Sequence, residues 1–332
     1  MVVAIDGPGG VGKSTVAGAV AEALDLPHLD TGATYRAAAL VVLRAGGDLS
    51  DPDAVLRSVE GVELYFDGAA VMLNGEDVTT EIRSEAATEA SSVVARHPEV
   101  RERIVALQRS WVAERGGSGV VEGRDIGTVV FPDSLVKVYL TASPEVRAAR
   151  RAMDDEAAGR TVEEIADELR ARDHRDSTRE TSPLRPAHDA VVIDTGELSV
   201  DRVTELALRR IAEAVALADS ALLDEHSPET VELTRILRGV VRSAVSQSTE
   251  KINLGWGGLG YHHPEAGYVA GIFPGEDSVK LGLEHGRDLP DPQGLLEGDG
   301  SQVRYVTIDQ WDEDLRDPLT DLLDAAVEFG SS

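Results

Sequence analysis

The chain has 332 residues, 42% of them apolar and 28% charged, proportions of a soluble globular protein with room for two domains and a sizeable core. A formal net charge of −28 argues against wrapping duplex nucleic acid or lying on an anionic membrane, and no run approaches the roughly eighteen apolar residues of a membrane span. The absence of cysteine excludes disulfides and thiolate metal sites and leaves the redox compartment open.

The first stretch is the most informative. Val2 to Ile5 reads as a buried strand, and Gly7-x-x-x-x-Gly12-Lys13-Ser14 follows it at the P-loop spacing. Gly7, Gly9, Gly10 and Gly12 let backbone N–H groups turn inward around phosphate oxygens. Val16 to Leu24 carries a helical pattern, so the loop opens a helix N-terminus, which favours anionic phosphate. Lys13, one of only four lysines, supplies a charge for the β- and γ-phosphates, and the Ser14 hydroxyl is placed to ligate Mg²⁺. The chain is therefore expected to bind a nucleoside triphosphate. With Asp6 and the loop so close behind the first strand, a signal peptide is not expected and the cytoplasm is the expected location.

A short strand at Leu26–Asp30 runs into a polar turn ending at Arg36, and Ala37 to Leu43 is helical by composition. Alternation from Val62 to Asn74, with Asp67-Gly68 and Asn74-Gly75 as hairpin turns, predicts a small β excursion. Ser84 to Trp111 is helical with a break at His97-Pro98. Gly119–Glu122 and Leu135–Leu140 are further buried strands, Pro144 to Arg172 is charged and helical with a break near Gly159-Arg160, and Ala190–Ile193 is a last short strand. Val200 to Leu217 closes this part as an amphipathic helix. The β–α order predicts an α/β fold, a parallel sheet flanked by helices.

Many arginines occupy this part, and phosphoryl transfer needs charge neutralisation and alignment more than covalent chemistry. Arg124 stands out, because it follows a buried strand and ligands collect outside the carboxyl ends of such strands. Four stretches in order, Ile5–Lys13, Leu29-Asp-Thr-Gly-Ala-x-Tyr-Arg36, Glu122-Gly-Arg-Asp-Ile-Gly-Thr-Val-Val-Phe-Pro132 and Arg172-Asp-x-Arg-Asp-x-x-Arg179, resemble bacterial cytidylate kinases. The resemblance covers residues 1–218. It implies a P-loop nucleoside monophosphate kinase fold with a nucleotide-binding insertion at about 60–95 and a lid at about 150–175.

It also implies roles, position by position. Gly7 and Gly9 through Thr15, with Lys13, would hold ATP, helped by lid residues Arg150, Arg151 and Arg160. Thr31, Tyr35, Arg36 and Arg124 would surround the CMP phosphate; Ser92, Arg101 and Asp125 would read the cytosine edge. Arg172 and Asp176 would face the sugar, and Arg179 would reach the transferring group, so that Lys13, Arg124, Arg172 and Arg179 form the catalytic set. Mg²⁺ would meet Ser14 and, through water, Glu122, where an aspartate is also common. The implied reaction is ATP + (d)CMP ⇌ ADP + (d)CDP by a monomer. A uridylate or adenylate kinase is the competing reading; a GTP switch is not supported, since no Asn-Lys pair begins a guanine-reading motif.

The polar stretch 219–228 is read as a linker between separable domains. Beyond it, residues 229–332 show a helix around Leu233–Ala244, strands at Tyr268–Phe273, Val279–Leu283 and Val303–Ile308, and a helix after Pro318, an α+β domain. Together with Lys251–Gly258 this part loosely resembles the YdhG-like family of unknown function. His262, His263, Glu265 and His285 are read as loop histidines, because adjacent residues on a strand point apart. Trp256, Tyr261, Tyr268 and Trp311 are expected in a core or lining a groove.

Overall fold

A computed structural model describes residues 1–60, 62–67, 70–153 and 160–331. The expected turn at Asp67-Gly68 and the lid stretch 154–159, including the break at Gly159, lie outside them. The chain folds as two compact units: one holds Val2–Trp111 and Gly119–Ile211, the other Met1, Val112–Ser118 and the chain from Ala212 onward.

In chain order the elements are β1 (Val2–Asp6), α1 (Lys13–Leu24), β2 (His28–Asp30), α2 (Thr31–Arg44), α3 (Pro52–Val59), β3 (Leu64–Asp67), β4 (Ala70–Leu73) and β5 (Glu76–Asp77). Then come α4 (Glu85–Val94), α5 (Pro98–Ala113), β6 (Gly119–Gly123), β7 (Val136–Thr141), α6 (Pro144–Arg151), α7 (Val162–Thr178), β8 (Val191–Asp194) and α8 (Val200–Leu223). The last are α9 (Pro228–Ala244), β9 (Thr249–Asn253), β10 (Gly258–His263), β11 (Gly267–Pro274), β12 (Val279–Leu283), β13 (Arg304–Ile308) and α10 (Arg316–Gly330).

The first unit is an α/β fold on a parallel sheet of order β2-β6-β1-β7-β8. Val3, Ala4 and Ile5 are fully buried, which is why this strand reads as an unbroken apolar run. Register sets the site: Asp6 pairs with Gly123 and Asp30 with Glu122. The carboxyl ends of β1, β2 and β6 therefore stand side by side, and the segments that leave them carry Lys13 at the start of α1, Thr31–Arg36 in the first turns of α2 rather than in the polar turn expected there, and Arg124–Asp125. The β excursion is the antiparallel sheet β3-β4-β5, where Asn74 and Gly75 take φ 50° and 81°, as a tight hairpin turn requires. It continues into α4, which packs with α2, α3 and α5 through Ala39, Val42, Val55, Val94 and Ile104.

The second unit is an antiparallel meander, β13-β12-β11-β10-β9, with α9 and α10 packed on it around Leu237, Val241, Tyr261, Ile272, Leu281 and Leu323. Two strands, β9 and β10, were not among the elements expected from the sequence. Gly260, Gly271 and Gly282 pair across three strands, and aromatic rings occupy the space their side chains would fill. A Cβ on Gly271 would stand 2.3 Å from the Tyr268 hydroxyl oxygen. Tyr261 is in the core as expected, but Trp256 is 66% exposed on the β9–β10 turn and belongs to no core. Helix α8 runs to Leu223 rather than ending at Leu217, so the first half of the expected linker is helical. Leu222 and Leu223 pack into the second unit's core. Among the described residues no helix is long and apolar enough to cross a membrane.

Candidate active site

The phosphate loop follows directly from β1. Gly7 passes so close to β7 that a Cβ there would lie 2.2 Å from the Leu140 carbonyl oxygen, which only glycine allows. Its own carbonyl accepts a hydrogen bond from Arg124 Nη1 at 2.9 Å. Lys13 opens α1 and curls back to donate from Nζ to the Pro8 carbonyl at 2.9 Å. Burial, with Arg124 close by and Glu122 and Asp30 opposing, pulls the Lys13 ammonium down to about 7. An arriving phosphate would restore that charge, which ties proton uptake to anion binding.

Two cavities flank the loop. The first, about 360 Å³, collects Thr31, Tyr35, Arg36, Ser92, Arg101, Arg124, Asp125, Arg172, Asp176 and Arg179, with Gly9, Lys13, Ser14 and Glu122 at the loop side. Every residue expected at the acceptor nucleotide is therefore in one place. The second, about 600 Å³, is lined by Gly9, Gly10, Gly12, Thr15, Arg147, Arg150, Arg151, Arg172, Thr195 and apolar residues of α8, Val200 and Val203. Gly9 and Arg172 line both, so the two cavities meet at the phosphate loop.

The first cavity is electrostatically poised for an anion. Lys13, Arg36, Arg83, Arg101, Arg124, Arg172 and Arg179 line it against Asp30, Glu122, Asp125 and Asp176, seven cations to four carboxylates. Burial and the neighbouring Arg124 pull the Arg172 guanidinium down to about 10. Burial pushes the Tyr35 phenol up to about 12. Buried Tyr35 Oη, Arg36 Nε, Arg101 Nε, Arg172 Nε and Arg179 Nη2 have no hydrogen-bond partner. Buried polar atoms are rarely left so, and their gathering around one cavity fits a polar ligand that supplies the missing partners.

The remaining polar contacts hold these groups in place. Arg36 pairs with Asp30 at 2.7 Å; burial works against ionisation of Asp30, yet this guanidinium keeps its carboxyl below the usual range. Arg124 Nε lies 3.3 Å from Asp176 Oδ2, and Thr31 Oγ1 donates to the Glu122 carbonyl at 2.6 Å. Arg101 is bonded to Asp125, both buried, and Arg179 Nη2 stands 3.9 Å from the other Asp125 oxygen. Arg179 follows the last residue of α7 as its cap, and its Nε donates to the carbonyl of Ser182. Ser182 is a buried non-glycine residue at φ 55°, and the Leu184 N–H returns to the Asp176 carbonyl at 2.8 Å, so this turn is folded back onto α7.

On the second cavity, Arg150 Nη1 donates to Thr195 Oγ1 at 3.0 Å, and Thr195 Oγ1 donates to the Val11 carbonyl at 3.2 Å. Arg160 lines neither cavity; it is paired with Glu168 and lies 3.9 Å from Glu85. Gly7 also lines neither, its part being to accept Arg124. Arg147 was not singled out from the sequence, yet it is 2% exposed and donates to the Gly9 carbonyl at 3.0 Å. Asp30, Arg83, Thr88 and Ser91 also line the first cavity without having been assigned a role. Asp30 stood inside a quoted motif, which was the one signal available for it.

The family model for cytidylate kinase matches residues 3–213. The chain belongs to the cytidylate kinase family. Cytidylate kinase of Mycobacterium avium (strain 104) is 50% identical over 220 residues, spanning 63% of this chain and 96% of that protein. Cytidylate kinase of Rhodococcus opacus (strain B4) is 49% identical over 219 residues, with 64% and 95% covered. That of Pelotomaculum thermopropionicum (strain DSM 13744 / JCM 10971 / SI) is 48% identical over 217 residues, with 63% and 95% covered. The first unit is thus an ATP-dependent nucleoside monophosphate kinase, and nearly all of the second lies beyond the family match.

Proposed function

We propose that the chain phosphorylates CMP and dCMP from ATP. The observation that carries this is the pair of cavities meeting at Gly9 and Arg172, one lined by the base-reading trio Ser92, Arg101 and Asp125, the other by the glycines of the loop. ATP lies along the loop with its phosphates toward Lys13; CMP lies in the first cavity with its phosphate toward Arg36 and Arg124. Arg172 spans the junction and Arg179 neutralises charge on the transferring group. No general base is needed, because the attacking phosphate oxygen is already anionic at neutral pH. The Ser14 hydroxyl and the Glu122 carboxylate both line this cavity and are hard oxygen donors suited to Mg²⁺, Ser14 directly and Glu122 through water. The ion, when bound, neutralises and orients the triphosphate.

A coupled ADP-release assay with CMP, dCMP, UMP and AMP tests the reading. Both cytidine substrates should exceed UMP and AMP by ~100-fold or more in kcat/KM, since a wrong base leaves buried polar groups unpaired. Chelation of divalent metal should abolish turnover. Equal rates with UMP and CMP would overturn the cytosine assignment and leave the kinase standing.

We also propose that the second unit, loosely similar to the YdhG-like family, is separable from the catalytic one. Every residue assigned to catalysis precedes position 180, and the lining of the second cavity ends at Val203. Because Leu222 and Leu223 belong to the other core, the cut belongs before them. A chain ending at Leu217 should melt cooperatively and keep CMP turnover within about fivefold of full length. A folded but inactive truncation would instead make the second unit a regulator of closure.

A further inference from the structure

One buried carboxylate in this unit has no role in the reaction described above. Asp6 ends β1 immediately before the phosphate loop and is 4% exposed. Its Oδ1 accepts the Ile126 N–H and its Oδ2 the Gly127 N–H, both at 2.8 Å. Those amides open the wide helical turn Ile126–Val130 that follows Arg124 and Asp125. On the other side of the same pair, β6 is anchored by the pairing of Gly123 with Asp6. Arg124 and Asp125 are thus suspended between two points fixed to one residue. A third tie, Arg124 Nη1 to the Gly7 carbonyl at 2.9 Å, runs to the next residue of the loop.

We propose that Asp6 is a positioning residue for phosphoryl transfer, a carboxylate clamp that fixes the turn bearing Arg124 and Asp125 against the start of the phosphate loop. An acceptor-side arginine must be aligned with the donor phosphates to within a fraction of an ångström, and misplacement of that order is costly in rate. Burial, together with the nearby Asp125, raises the Asp6 carboxyl to about 6, with the two backbone N–H bonds and Lys13 opposing. Two acceptors aimed at two consecutive N–H groups are what a carboxylate supplies and an apolar residue cannot.

This rests on the reading of Arg124 as an acceptor-phosphate ligand, so the test has one arm that does not depend on it. In Asp6→Asn the amide keeps one acceptor but turns an NH₂ toward the other backbone N–H. Its kcat with CMP should fall ~30-fold or more while ATP binding, measured alone by calorimetry, stays within about threefold. If Asp6 acts through Arg124, the same change in an Arg124→Ala background should cost no more than about threefold in kcat/KM. Losses that multiply independently would overturn the proposal. In the unmutated protein, hydrogen exchange should show the Ile126 and Gly127 amides protected to the level of the β1 core. Exchange at exposed-loop rates would overturn the clamp whatever the substrate proves to be and whether or not Asp6→Asn folds.

Discussion

Arg179→Ala should lower kcat by ~100-fold or more while the KM for CMP moves by no more than about threefold. The guanidinium is fixed by the Ser182 carbonyl at one end, and at the other the nearest carboxylate oxygen of Asp125 is 3.9 Å away, with Asp176 more distant still. Asp125 is already committed to Arg101. Burial, then repulsion from Arg101, depress the Arg179 pKa against the opposing charge of Asp125 and Asp176. A group so held gains most when negative charge develops beside it, hence the expected effect on the chemical step rather than on binding. Arg179→Lys should recover little, because an ammonium cannot both donate to Ser182 and reach the cavity. Steady-state kinetics on the two variants decide the matter, and a full-rate Arg179→Ala enzyme would mean that the Arg172–Arg179 motif has been assigned wrongly.

Asp125→Ala should cost ~10³-fold in kcat/KM for CMP and lower the melting temperature as well. The Arg101 and Asp125 side chains are 4% and 7% exposed. Removing one partner of so buried a pair leaves the other charge uncompensated, at about 3–5 kcal/mol. Arg101 would then face Arg179 without the carboxylate that separates their charges, left among the described residues with the Tyr35 ring 5.4 Å away and a long bond to the Ala95 carbonyl. Preference for CMP over UMP should collapse with the absolute rate, since this pair presents the polar groups assigned to the cytosine edge. Kinetics with both nucleotides, alongside a melt, separate the two effects. Selectivity that survives in a weakened enzyme would leave Asp125 a structural partner and nothing more.

Much of the catalytic unit was legible because its chemistry is local. The P-loop must be glycine-rich and must join a strand to a helix, and Arg124 directly follows a buried strand, whereas Arg36, Arg101 and Arg172 stand inside α2, α5 and α7 and were placed through the resemblance alone. Tertiary choices were not legible. Arg147 sits in a charged helix whose spacing reads as a solvated face. Only the cap at Ser143 and the packing of α6 on α7 turn it toward Gly9. Arg150 faces the second cavity from the same helix, whereas Arg160 pairs with carboxylates beyond it. The polar residues taken for a linker, Asp219, Ser220 and Asp224, lie on the surface of α8 and just beyond its end, and Ser220 Oγ donates to Asp224 at 2.6 Å. In the second unit, β11 and β12 were read as strands in spite of Gly271 and Gly282, whereas Gly258 and Gly260 broke the alternation of β10, which was not.

The account turns on two nucleotide sites that share Gly9 and Arg172, so a ligand that fills both at once tests it most directly. Adenosine and cytidine joined through five phosphates should bind one molecule per chain, compete with ATP and with CMP alike, and bind ~100-fold or more tighter than either nucleotide, as linked sites of fitting span allow. Competition with only one substrate, or two molecules bound per chain, would contradict the shared junction at the phosphate loop.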